Sequence, residues 1–389
     1  MTTFSRRTAH DFEPNALTRA LAERRARGLP VCDLTESNPT HTSLPYEHER
    51  IAAALGDVRS AKYEPHALGL ASARSVVQES QRAAGFDVPL DRILLTSSTS
   101  EAYGFLFKLL CDAGDEVVIP RPSYPLFEHL ASLEHVRTSF YQLAYDGAWH
   151  IDFDSLRRAV NARTRAIVLV SPNNPTGSFV KRDELARLAE FGLPLISDEV
   201  FSAFELGESS RRARSVLELD EVLVFALGGL SKYAALPQMK LAWTCARGPE
   251  AALRDAFTRL ELVADTYLSP NTPVQLALPE LLAASAPVRV ALNARIARNF
   301  ATLTAAFAGT AATPLFLEGG WYATLRLPSV LDEASWLLTL LNEDGVLTQP
   351  GFFYDFIEGP VLVLSLITEE QELALGVSRI AERVRLVTG

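Results

Sequence analysis

Phe225-Ala226-Leu227-Gly228-Gly229-Leu230-Ser231-Lys232 is the stretch on which the reading of this chain turns. The apolar run from Val222 to Leu227 has the length and content of a buried strand, and two glycines, a leucine, a serine and a lysine follow it. A lysine held at the mouth of an apolar strand end is partly desolvated, which favours its neutral amine form. A neutral amine is a nucleophile, and with a carbonyl it makes a Schiff base. On this octapeptide alone, a solvated lysine just past a strand explains the residues equally well. The other strand ends decide between the two.

The bulk properties narrow the classes. A length of 389 residues is enough for one large α/β domain with a smaller partner. Nearly half the residues are hydrophobic and 22% are charged, which is a globular composition and not a disordered one. A formal charge of −10 works against broad binding to nucleic acid or anionic membrane. Basic runs such as Arg24-Arg25-Ala26-Arg27 are short and read as a solvated helix face. Cys32, Cys111 and Cys245 stand far apart with no paired spacing, so no metal or disulfide framework is expected and a reducing cytosol fits. With no apolar leader and no membrane-spanning stretch, the expected location is cytoplasmic.

Outward from the octapeptide, strand and helix alternate with short connections. Strands are expected at Arg92–Thr96, Glu116–Ile119, Val136–Leu143, Ala166–Val170, Pro194–Asp198, Val222–Leu227 and Lys240–Cys245, with helices between most of them. That alternation predicts a mostly parallel sheet covered by helices on both faces. In such sheets ligands bind beyond the carboxyl ends of the strands. An amphipathic helix from Asn15 to Arg27 precedes this region. Beyond a boundary at Ala286-Pro287, a long helix, the strand near Trp321–Arg326, the strand Val361–Ser365 and a last helix suggest a smaller α+β unit. The division read from the pattern is an N-terminal segment at 1–45, a large domain at 46–285 and a small one at 286–389.

Four strand ends carry polar groups. Ser97-Ser98-Thr99-Ser100 precedes a helix, where free N–H groups and hydroxyls can converge on an anion, although an ordinary N-cap has the same composition. Ser171-Pro172-Asn173-Asn174-Pro175-Thr176-Gly177 is a turn fixed by two prolines that offers an amide. Asp198 places a carboxylate at the end of a central strand, and read by itself it is half of a buried salt bridge. Lys232 is the fourth.

With these motifs in this order, the chain resembles the fold-type I pyridoxal-phosphate enzymes, and within them the class I/II aminotransferases. The resemblance runs from about Asp33 to the end. It implies the aspartate aminotransferase-like fold of PLP-dependent transferases, with a large domain on a mostly parallel seven-stranded sheet plus a smaller α+β domain, and pyridoxal 5'-phosphate as cofactor. In that likeness Lys232 forms the Schiff base and then shuttles a proton. Asp198 pairs with the pyridine nitrogen. Asn174 donates to the phenolic oxygen, and Tyr124 stacks on the ring. Ser98 and Thr99 bind the phosphate, and Lys240 stands where an arginine usually grips it. Tyr63 matches a tyrosine sent into the neighbouring subunit's site, which implies a homodimer with shared sites, a small-molecule amino donor and a keto acceptor.

The sequence also departs from the pattern. Phe201 stands where the family usually has a tyrosine, which should raise the Schiff-base pKa unless Ser202 or Tyr233 supplies a hydroxyl. Ser98 replaces a glycine, and Gly229 replaces a phosphate-binding serine. Val363 stands at the position of the arginine that clamps the substrate α-carboxylate, and no arginine occurs between Val346 and Gln371. Asn38, Arg326 and Asn174 are the substitutes the sequence offers. The expected function is a PLP-dependent aminotransferase working by a ping-pong cycle with its substrate open. A lyase, decarboxylase or racemase on the same fold, or a non-catalytic regulatory module, are the alternatives.

Overall fold

The alternation of apolar runs in the middle of the chain resolves into one twisted sheet. The computed structural model describes residues 4–8 and 13–389, so residues 1–3 and 9–12 of the polar N-terminal stretch lie outside the described residues. Strands β1 (Ile93–Thr96), β2 (Glu116–Arg121), β3 (Arg137–Tyr145), β4 (Trp149–Ile151), β5 (Thr164–Val170), β6 (Leu195–Asp198), β7 (Val224–Gly229) and β8 (Ala242–Arg247) form it in the order β1-β8-β7-β6-β5-β2-β3-β4. β7, β6, β5, β2 and β3 are mutually parallel, while β8 is antiparallel to both β7 and β1. Seven of these strands are the expected ones. The eighth, β4, is a three-residue return beside β3, too short for a period to register.

Both faces of the sheet are buried. Along β1, Ile93 and Leu95 join one apolar cluster while Leu94 joins the other; along β7, Val224 and Ala226 split in the same way from Phe225 and Leu227. Successive side chains of a strand point to opposite faces, so a sheet covered on both sides needs continuous apolar runs. This explains why the strands read as runs and not as alternations.

A second, antiparallel sheet lies in the C-terminal part. Its strands β9 (Thr313–Pro314), β10 (Tyr322–Arg326), β11 (Gln349–Pro350) and β12 (Val361–Ser365) are ordered β9-β10-β12-β11. Helices Ala286–Phe307 and Glu370–Thr388 contribute to one apolar cluster with β10 and β12. Cys32–Asp33 pairs in parallel with Val346–Leu347, and this ties the N-terminal segment to the same region. The expected helix there spans Ala16–Ala26 and is capped by Asn15. None of its side chains is fully buried, but Leu17, Ala20, Leu21 and Arg24 make a half-buried face, with Leu17 packed on the C-terminal apolar cluster. Among the described residues no helix is long and apolar enough to cross a membrane.

The two sheets meet around a buried ion cluster. Glu318 accepts from Arg212 Nε at 3.1 Å and from Lys181 Nζ, and all three side chains are buried. Gly177 sits at φ +66° against this junction, where a Cβ would run into Leu317 and the Gly319 carbonyl. Only glycine takes both that backbone and that closeness without strain. From Glu318 the chain passes through Gly319-Gly320 to Trp321, which packs on Phe201 and Phe204 with ring centroids 5.4 and 5.2 Å apart. Removing Glu318 leaves buried Lys181 without its counter-charge and Arg212 with only the half-exposed Glu205 at 3.8 Å, so Glu318→Ala should lose about 3–5 kcal/mol of unfolding free energy. Urea unfolding at neutral pH measures this, and a loss near zero would show that the cluster is solvated.

Candidate active site

Strand register brings the polar strand ends to one edge. Val170 of β5 lies opposite Asp198 of β6, Asp198 opposite Leu227 of β7, Gly229 of β7 opposite Ala242 of β8, and Ala242 opposite Thr96 of β1. The segments just past these residues therefore converge, although they are up to about 140 positions apart in sequence. They line a cavity of about 440 Å³ that includes Ser98, Thr99, Tyr124, Asn174, Asp198, Lys232 and Lys240. This is the size and setting of a cofactor or small-ligand site.

Lys232 lies on the single helical turn Leu230–Tyr233 that follows β7. Its Nζ is 4.7 Å from the centre of the Trp321 ring and 5.7 Å from that of Phe201. Burial pushes the amine down to about 8, with the charge of Asp198 acting the other way. The solvated-lysine alternative is thereby set aside. Asp198 closes β6, and the Val200 N–H donates to its Oδ1 at 3.2 Å. Burial pushes this carboxyl up to about 6, against that hydrogen bond, the nearby Tyr103 hydroxyl and the charge of Lys232.

The paired asparagines separate cleanly. Asn173 is fully engaged: its amide donates to the Pro122 carbonyl at 3.0 Å and to Thr176 at 2.9 Å, and its oxygen accepts from Ser123 at 3.1 Å. Asn174 faces the cavity, and its buried side-chain oxygen has no hydrogen-bond partner. Buried polar groups are paired in folded proteins, so an orphan lining a cavity marks a ligand's place. Ser98 is an N-cap after all, its hydroxyl accepting from the Glu101 N–H at 3.1 Å, while Ser97 is tied to Glu101. The free N–H groups of helix Thr99–Leu110, with Thr99 and Ser100, still open into the cavity. Lys240 is solvent-exposed and at φ +51°, and it reaches the same end. A buried amine, a buried carboxylate, an orphaned amide, and N–H groups and a cation at a helix start together suit a phosphorylated aromatic aldehyde such as pyridoxal phosphate.

Several sequence candidates fall elsewhere. Tyr63 is 74% exposed and lines a surface recess with His66, Leu268 and Pro270 instead of this chain's cavity. Asn38 caps the turn Pro39–His41, its oxygen accepting from the Thr40 N–H at 3.0 Å, and does not line the cavity. Arg326 borders a different cavity, with Tyr145 5.5 Å away and Glu358 at 3.9 Å. As substrate ligands in this cleft, Asn38 and Arg326 are therefore corrected: one is spent on a turn, and the other is carried to a separate pocket by the pairing of β10. Ser202 and Tyr233 line a small recess with Gln81 and Trp243, not the cavity, so neither supplies the hydroxyl missing at Phe201. Ser100 and Ser231 line the cavity from within the hydroxyl cluster and the Lys232 octapeptide, while Ser37, Gln349, Phe353 and Tyr354 line it without having been given a role. Gln349, Phe353 and Tyr354 come from a segment with no motif, so no sequence signal pointed to them.

Comparison with known proteins points to one family and one fold. Residues 75–372 match the family described as aminotransferase class I and II. Nicotianamine aminotransferase B of Hordeum vulgare is 31% identical over 65% of this chain and 48% of its own length. The glutamate-pyruvate aminotransferase AlaA of Escherichia coli (strain K12) is 27% identical over 66% of this chain and 64% of its own. The chain thus spans about half to two thirds of these relatives. Among solved structures, an alanine aminotransferase from Pyrococcus furiosus superposes with a TM-score of 0.88 at 21% identity, covering 99% of this chain and 100% of its own. A Thermus thermophilus aspartate aminotransferase double mutant gives 0.84 at 24% identity, over 98% and 100%. The fold is that of the aspartate aminotransferase-like enzymes.

The buried amine makes a prediction about pH. Only its neutral form attacks a carbonyl, so the rate at which the cofactor-free protein captures pyridoxal phosphate at Lys232 should rise with pH to a midpoint near 8. Asp198→Asn removes the charge that raises the lysine and should move that midpoint lower. A midpoint near the ordinary 10.5, unmoved in the variant, would place the amine in water.

Proposed function

The chain belongs to the aminotransferase class I and II family, and on that premise we propose that it is a pyridoxal 5'-phosphate-dependent aminotransferase. It would move an amino group from an amino donor to a keto or aldehyde acceptor in two half-reactions. The observation that carries this reading is the meeting of Asn174, Asp198 and Lys232, from three adjacent parallel strands, in one cavity.

Each residue has a physical task. Lys232, held near pKa 8, has enough neutral amine at physiological pH to act as nucleophile, and its Nζ can then carry a proton between neighbouring carbon atoms. Asp198 is mostly ionised at neutral pH and accepts a hydrogen bond from the ring nitrogen, which keeps that nitrogen protonated. The Asn174 side-chain NH2 would donate to the ring oxygen, beside the carboxamide oxygen that this chain leaves unpaired. Tyr124 lines the cavity and would cover the ring face. The N-terminal N–H groups of helix Thr99–Leu110, with Thr99, Lys240 and the O–H that Ser98 can still donate while its oxygen caps the helix, would hold the phosphate. When bound, the cofactor supplies an aldehyde that captures primary amines and a ring that takes up the electrons released from carbon.

A homodimer belongs to the same reading. Tyr63, Tyr267 and Leu268 are exposed around the recess beside the Ser97 loop, and a second copy would cover them and receive Tyr63 toward its phosphate site. The division into a cofactor-binding domain at 46–285, a small domain at 286–389 and an N-terminal segment at 1–45, and a cytoplasmic location, complete it.

The test is stoichiometric. Protein, pyridoxal phosphate, an amino donor and a keto acid should yield the aminated acceptor and the matching carbonyl product, read by mass spectrometry. Ammonia, carbon dioxide or a thiol without aminated acceptor would replace the proposal with a lyase or decarboxylase. Lys232→Ala should lose the cofactor's visible Schiff-base absorbance and slow transfer by about 10²–10⁴-fold. A folded wild-type protein that never develops that absorbance would be a non-catalytic module.

A further inference from the structure

Among the described residues of this chain, none that lines the end of the cavity away from the phosphate site is a cation. Lys232 and Lys240 are the cavity's two basic lining residues, and the proposed function commits the first to the reaction and the second to the phosphate. What remains there is neutral: Ser37, Tyr322, Gln349 and Tyr354. The Tyr354 hydroxyl donates to the Gln349 side-chain oxygen, and the Gln349 amide donates to the Thr35 carbonyl at 3.4 Å. The pair is held in place from both sides. Tyr322 stands beside Ser37 and Tyr124, close enough to Glu36 that this carboxylate helps to hold its hydroxyl protonated, after burial. Gln349 lies directly across the β11–β12 ladder from Val363, which is fully buried, and no residue from Val346 to Gln371 is an arginine.

An anion brought to this end would lose its water shell and meet a neighbouring carboxylate in place of a counter-charge. Desolvating a carboxylate without a cationic partner is costly, whereas phenol and carboxamide groups satisfy a neutral polar group fully. Resting on the aminotransferase reading, we propose that the Tyr322–Gln349–Tyr354 wall selects primary amines whose α-carbon bears an uncharged hydrogen-bonding group, such as a carboxamide or hydroxymethyl, over α-amino acids. Gln349 is the residue that sets this preference, since of the two residues paired with the buried Val363, Thr324 and Gln349, it is the one that lines the cavity.

Three matched probes test it: L-alanine, L-alaninamide and L-alaninol. Each is titrated calorimetrically into the protein loaded with pyridoxal phosphate, and the first half-reaction is followed separately by the loss of visible absorbance. Both readouts are compared at equal concentrations of unprotonated amine. The amide and the alcohol should bind at least tenfold more tightly than alanine and convert faster. Gln349→Arg, which brings a guanidinium into the wall, should improve alanine relative to the amide by at least tenfold. Should that variant fail to fold by circular dichroism, Tyr322→Phe should weaken the amide and the alcohol several-fold more than it weakens alanine. Alanine binding as tightly as the amide in the wild type, or a ratio untouched by the variants, overturns the inference and leaves the aminotransferase reading standing. A folded protein in which no amine alters the cofactor absorbance overturns both.

Discussion

Lys232 and Asp198 are opposite charges kept in one buried cavity, and the surrounding structure is arranged to hold both there. Desolvation drives each toward its neutral form: the amine falls to about 8 and the carboxyl rises to about 6. Each charge partly offsets the cost of the other, so neither group is driven to full neutrality at physiological pH. The amine therefore retains nucleophilic character and the carboxylate remains an acceptor. At the surface the carboxylate would stay ionised, but water would return the amine to its ordinary value and leave it protonated and non-nucleophilic.

That balance depends on walls that do not move. Trp321 and Phe201 stand over the amine, and Trp321 is delivered by the glycines that follow Glu318. Glu318 is fixed in turn by Lys181 and Arg212, and the turn carrying Asn174 ends at Gly177, which admits Leu317 and the Gly319 carbonyl only because it has no Cβ. The buried ion cluster and the surroundings of Lys232 are thus joined through a few residues of backbone. Phe201 deepens the effect. An apolar ring at this place desolvates the amine where a phenol would hydrate it, and neither Ser202 nor Tyr233 compensates from its own recess.

Much of this was legible in the residues. The parallel sheet followed from apolar runs alternating with helices, and Lys232, Asp198 and Asn174 followed from their places at strand ends, each motif weak alone and informative in order. The short strands Trp149–Ile151, Thr313–Pro314 and Gln349–Pro350 were not legible, since two or three residues carry no period. Arg326 and Asn38 were attractive because arginine and asparagine can hold a carboxylate. Composition does not say which way a strand faces or which amide a turn consumes.

The sequence by itself therefore determined the fold class, the family likeness and the residues at the centre of the cavity, because strand periodicity and strand-end placement are local properties of the chain. The tertiary structure decided which of two adjacent asparagines is free, that Ser98 is committed to a cap, and that neutral groups from Ser37, Tyr322, Gln349 and Tyr354 close the far end. The asparagine outcome depends on partners 50 and 51 residues away and the closing of the far end on a contact 314 residues away, whereas the Ser98 cap is local and the fold only decides what else reaches it. A hydrogen bond satisfied across such a distance leaves no trace in the spacing of the residues that make it.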